Sequence, residues 1–100
     1  MSLKVEVELS PPFQSRLSLT HLTLWIEEDR STVKGLLERL VEEHGEKIGP
    51  LLFGQKEDEI LTGLMVMINN HTFTGSALNQ QDIQLRDGDK VSLLYFMSGG

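Results

Sequence analysis

The sequence predicts an α+β domain: one mixed sheet of four or five strands with a single main helix packed on one face. Three observations carry this. Two stretches of strand character precede one strongly amphipathic helical stretch, three more strand stretches follow it, and 100 residues supply one core and no second domain.

Residues 3–9, LKVEVEL, alternate strictly, with Leu3, Val5, Val7 and Leu9 against Lys4, Glu6 and Glu8. A period of two is the pattern of a half-buried strand. Ser10-Pro11-Pro12 ends it, because proline offers no ladder donor and biases the residue before it. A second strand is expected within residues 17–27, with Leu17, Leu19, Leu22, Leu24 and Ile26 inward. Its alternation changes phase between Leu19 and Leu22, which suggests a bulge or break near Thr20-His21. Trp25 falls on the opposite face from Leu24 and Ile26.

Ser31 or Thr32 supplies an N-cap hydroxyl for a helix running to about His44. Val33, Leu36, Leu37, Leu40 and Val41 form one stripe of helical period. Gly35 costs about 1 kcal/mol relative to Ala in a helix, so its presence suggests a close neighbour. Gly45 is a suitable stop. Beyond it, Ile48, Leu51, Leu52 and Phe53 read as a short helical turn plugging one end of the core, and residues 54–63 as an exposed loop. Residues 64–69, LMVMIN, make a central strand with two apolar faces. Asn69-Asn70 suits a tight turn, and residues 71–74 return as a short strand. Residues 76–85 read as a loop with room for one helical turn, Arg86-Asp87-Gly88-Asp89 as a turn, and residues 90–97 as the last strand.

Composition removes several functions. The net charge of −6 and the scattered nine Lys and Arg leave no basic footprint for nucleic acid or an anionic membrane. The absence of cysteine removes disulfides, thiolate metal sites and thiol nucleophiles. Residues 1–10 have no continuous apolar centre, and no stretch approaches the roughly 20 apolar residues of a membrane span. The expectation is a soluble, cytoplasmic protein. His21, His44 and His71 are too spread to suggest a ligand set, Asp87-Gly88-Asp89 reads as a turn, and no metal site is expected.

The C-terminal third carries a resemblance. LMVMINNHTF and LRDGDKVSLLYFMSGG together resemble the sulfur-carrier proteins of the MoaD and ThiS type, which have the β-grasp fold of ubiquitin. The matching positions are Asn69 before its turn, Leu85, Asp87, Gly88, Asp89 and Val91 opening the last strand, and Gly99-Gly100 at the end. STVKGLLERLVEEHG resembles the family's helix. The chain departs from the family at Pro11-Pro12-Phe13, where many members have a glycine-containing hairpin, and at Tyr95-Phe96-Met97, where Pro-Pro or a similar pair is frequent. Length places it nearer the small subunit of molybdopterin synthase than the shorter thiamine type. It also resembles the ubiquitin-related modifier that doubles as a tRNA sulfur carrier.

The resemblance implies that the first and last strands are neighbours in the middle of the sheet. It implies one domain over residues 1–97 and a mobile tail over 98–100. It also implies a function without intrinsic catalysis. A partner adenylyltransferase of the MoeB or ThiF type uses ATP to activate the carboxylate of Gly100, and the carrier itself binds no cofactor. A sulfur-donor protein then displaces AMP, leaving a thiocarboxylate nucleophile. Gly99 and Gly100, lacking Cβ, thread a narrow channel. The recipient is expected to be molybdopterin biosynthesis, through a larger synthase subunit.

Docking needs a surface beside the tail. By alternation, Val91, Leu93 and Tyr95 share one face of the last strand, and Ser92, Leu94 and Phe96 the other; Val91 and Leu93 are expected in the core. Ser98, Met97 and Phe96 at the exit, with Met65 and Met67, are the candidate docking residues. Phe96 and Met97 also fit as core caps, and methionines on a central strand, as at Met65 and Met67, are more often core than interface. Two other functions remain: a modifier joined through Gly100 to lysines, and a plain ubiquitin-like interaction domain in which the tail does nothing.

Overall fold

The computed structural model describes residues 2–54 and 59–95. Its strands are β1 (Ser2–Leu9), β2 (His21–Glu27), β3 (Leu64–Ile68), β4 (His71–Thr74) and β5 (Lys90–Tyr95). They form one sheet in the order β2-β1-β5-β3-β4, with β1 and β5 parallel and the other neighbours antiparallel. The helices are α1 (Pro11–Leu17), α2 (Val33–His44), α3 (Gly49–Leu52) and α4 (Gly75–Gln80). None is long and apolar enough to cross a membrane.

Alternation builds the core face of the sheet. Val5, Val7, Leu24, Ile26, Leu64, Val66, Val91 and Leu93 are all buried, and α2 covers them with Val33, Leu36, Leu37 and Leu40. Each such side chain contributes about 1.5–3 kcal/mol on leaving water. Thr32 is the N-cap of α2, accepting from the Gly35 N–H at 3.1 Å. Gly45, at φ 63, ends the helix. Ile48 and Leu52 are fully buried and close one end of the core, as the sequence predicts.

The second strand is shorter than its sequence suggests. Pro11 and Pro12 sit in the first turn of α1, where a missing N–H costs nothing. The chain therefore turns into a helix at the prolines, and the phase change near Thr20-His21 is an element boundary rather than a bulge. Ser18 takes a left-handed φ of 58° to end α1, and β2 starts at His21. Phe13 becomes fully buried, Leu17 packs against the core from the helix, and Leu19 stays exposed.

The segment expected as an exposed loop over 54–63 also needs correction. Residues 55–58 lie outside the described residues. Ile60 is fully buried, bridges to Phe53, and is held by Asn79, whose side-chain amide bonds both the N–H and the C=O of Ile60 at 2.8 Å. The helical turn allowed for within 76–85 is α4, capped by Thr74.

Gly35 has the close neighbour its position implies. The Arg30 guanidinium forks onto Glu42 at 3.4 and 2.9 Å, holding the turn at Glu28–Arg30 against α2. The hydrogen bond from Arg30 keeps the Glu42 carboxyl below its usual range. A Cβ on Gly35 would collide with the Arg30 carbonyl oxygen, which is backbone and has nowhere to swing. Gly35→Ala should therefore cost about 2 kcal/mol, lowering Tm by roughly 10 °C. Gly49→Ala, where the added methyl meets only Val41 at 3.9 Å, should not destabilise. Thermal melts of the two variants followed by circular dichroism check this pair.

Candidate functional site

The candidate site is the end of β5 and the surface beside it. Strand β5 lies between β1, from Glu6↔Lys90 to Leu9↔Leu93, and β3, from Ile68↔Val91 to Leu64↔Tyr95. Its start is pinned by the Asp87-Gly88-Asp89 turn. Gly88, at φ 89, donates to the Lys4 carbonyl at 2.8 Å, and the Lys4 N–H donates to the Asp87 carboxylate at 2.8 Å. Asp89 accepts from the Arg86 N–H at 2.8 Å and from the Asn69 amide at 3.2 Å. Asn69, at φ 54, also accepts from the Lys90 N–H at 3.2 Å and donates its own N–H to the Lys90 carbonyl at 2.8 Å. The motif residues thus join the β3–β4 turn, β1 and β5, and set the register of the last strand.

The far end of β5 is held by Tyr95. Its ring stacks on Phe13 with centroids 5.3 Å apart and planes 1° from parallel, and its hydroxyl donates to the Leu51 carbonyl. Burial pushes the phenol up to about 12, with the Arg16 charge pulling weakly the other way. Sequence reasoning placed Tyr95 on the core-facing side of the last strand but gave it no role. Its partners come from α1 and α3, one of which reads as strand or linker in the sequence.

On the other face of the sheet, Met65 stands opposite Leu94, and Met67 opposite Ser92; across β4 they meet Thr74 and Thr72. All of Met65, Met67, Ser92 and Leu94 are half-buried, and neither methionine belongs to the core cluster. The geometry therefore brings Met65, Met67 and Leu94 into one apolar patch beside the end of β5. Leu94 is placed on this face by the alternation of the last strand. Phe96, Met97, Ser98, Gly99 and Gly100 lie outside the described residues. His21, His44 and His71 sit on separate elements, and among the described residues no group of three His, Asp or Glu is placed to hold a metal ion.

Comparison with known proteins decides the family. The sequence profile of the ThiS family matches residues 16–100. The chain belongs to the ThiS family. Proteins of this family are small ubiquitin-like sulfur carriers without catalytic activity of their own, and this chain is one of them. A sequence search of curated proteins finds no match.

Solved structures share the β-grasp fold of this ThiS-family protein. SAMP1 of Haloferax volcanii, a small archaeal modifier protein, is 20% identical with a TM-score of 0.76, covering 97% of this chain and 99% of its own. A Pyrococcus furiosus protein described as molybdopterin converting factor subunit 1 is 24% identical with a TM-score of 0.70, covering 94% and 98%. A chain of the BexX/CysO complex of Amycolatopsis orientalis is 15% identical with a TM-score of 0.68, covering 96% and 99%.

Tyr95 is the chain's single tyrosine, which makes its environment measurable. The fold holds the phenol above its ordinary value of about 10. Its contribution to stability is therefore fully present below pH 10 and is lost as pH rises through about 12. The tyrosinate absorbance of the folded protein should titrate near the upper value. Tyr95→Phe should remove this pH window and lower stability by about 1 kcal/mol through the lost bond to Leu51.

Proposed function

We propose that this ThiS-family protein carries sulfur on the carboxylate of Gly100. The observation that carries the reading is the family match, which runs to Gly100. The anchoring of β5 at Tyr95 supports it, because it fixes the point from which the last five residues start. Five residues reach at most about 17 Å when extended. That length lets a carboxylate enter a partner's active site while the sheet stays outside.

In this reading the Gly100 carboxylate attacks the α-phosphorus of ATP in a MoeB- or ThiF-type adenylyltransferase, expelling pyrophosphate. The terminal sulfur of a donor protein's persulfide then attacks the carbonyl carbon and AMP leaves. A partner's thiol then attacks the donor's sulfur, forming a disulfide with it as the acyl S–S bond breaks, and the thiocarboxylate leaves. The partner enzymes supply ATP binding, acid and base, and the carrier supplies the carboxylate and the docking face. Met65, Met67 and Leu94 form the apolar centre of that face, joined by Phe96, Met97 and Ser98 at the exit. A basic rim on the partner complements the net charge of −6.

The recipient we favour is molybdopterin synthesis, in which a larger synthase subunit receives the tail; the likeness to the Pyrococcus furiosus protein supports this choice. The likeness to SAMP1 supports the second reading, capture of the same adenylate by a lysine amine of a target protein.

ATP–pyrophosphate exchange with the activating enzyme of the same source tests the activation step. Deletion of Gly100 should abolish exchange. Met65→Glu, which leaves the core and tail intact, should raise the KM for the carrier about tenfold, or about 1.4 kcal/mol of docking energy. Exchange that survives deletion of Gly100 would contradict the proposal.

A further inference from the structure

The two edges of the sheet differ. Strand β4 has four residues, and short edges resist further pairing. Strand β2 has seven, HLTLWIE, with no proline and no lysine. Trp25 on this edge is 58% exposed and is one of two large apolar side chains left exposed among the described residues. It is not part of the Met65–Leu94 patch, because Lys4, Glu6 and Glu8 of β1 lie between them on the same face.

The backbone of β2 divides cleanly. The Leu9 N–H donates to the Thr20 carbonyl at 2.9 Å, and those two residues continue by one step the β1–β2 register that ends at Glu8↔His21. Antiparallel ladders alternate bonded and non-bonded pairs, so Leu22, Leu24 and Ile26 turn their amides toward β1. Thr23 and Trp25 turn theirs to the open edge. Placed antiparallel to its own copy with the two-fold axis at Leu24, β2 overlaps itself along its full length. Thr23 then faces the partner's Trp25 and the pair exchanges both backbone bonds. At each end His21 faces the partner's Glu27, an imidazole opposite a carboxylate. The two tryptophans become diagonal neighbours, about 7–8 Å apart and within reach of each other's rings.

We infer that β2 is a self-association edge, through which two copies of this chain join their sheets across a two-fold axis at Leu24. The pairing is isologous and closes on itself. It leaves Met65, Met67 and Leu94 uncovered, and directs the ends of the two β5 strands to opposite sides, so both copies keep a free docking face. A contact of one strand pair is below the roughly 1,000 Å² of a permanent interface. The dimer is therefore transient, with a Kd between about 10 μM and about 1 mM.

Sedimentation of the full chain across that concentration range tests the inference, with the emission of its single tryptophan followed in parallel. The average wild-type mass should rise from 11.3 kDa toward twice that value, and Trp25 emission should shift to the blue. Thr23→Pro removes an outward N–H without touching the β1 ladder, an edge position that proline tolerates. It should hold the mass at the monomer value and cancel the emission shift. Trp25→Lys blunts the same edge by charge, and should do the same to the mass if Thr23→Pro fails to fold. A wild-type chain that stays monomeric to about 1 mM, or a dimer that persists in the folded edge variants, overturns the inference.

Discussion

The geometry of the candidate site depends on where β5 lies. It is a parallel neighbour of β1 in the middle of the sheet, so no hairpin fixes its register; the two strands are joined only through the rest of the chain. The register is set instead by local polar contacts at one end and an aromatic clamp at the other. The Asp87-Gly88-Asp89 turn ties the strand's start to Lys4 and Asn69. Tyr95 ties its end to Phe13 and Leu51. A slip of one residue would move Val91 and Leu93 out of the core and expose them. These contacts therefore hold together both the core and the geometry of the exit.

The same alternation divides the labour between the two faces. Inward residues of β3 and β5 pack under α2, and outward ones present Met65, Met67 and Leu94 beside the exit. Among the described residues the end of β5 is held by Tyr95 and has an apolar face next to it, an arrangement that suits a carrier whose chemistry belongs to its partners.

Much of this was legible in the residues. The period-two run of 3–9, the continuous apolar run of 64–68, the helical stripe from Val33 to Val41, the caps at Thr32 and Gly45, and the turns at Asn69 and Gly88 each signal their structure locally. The misreading at 11–20 came from treating Pro11-Pro12 as a strand terminator alone, when the same residues also open helices. The burial of Ile60 has no local signal, because it depends on the side-chain amide of Asn79, 19 positions later in the sequence. The role of Tyr95 was hidden for the same reason: a stacking partner 82 positions earlier becomes visible only once α1 is in place.

The central claim is that the Gly100 carboxylate is the working group. The most direct measurement is the intact mass of the protein after incubation with ATP, its activating enzyme and a sulfur donor. The account predicts a gain equal to one oxygen replaced by sulfur, absent from a chain lacking Gly100. An unchanged mass while the activating enzyme works on its other substrates would contradict it.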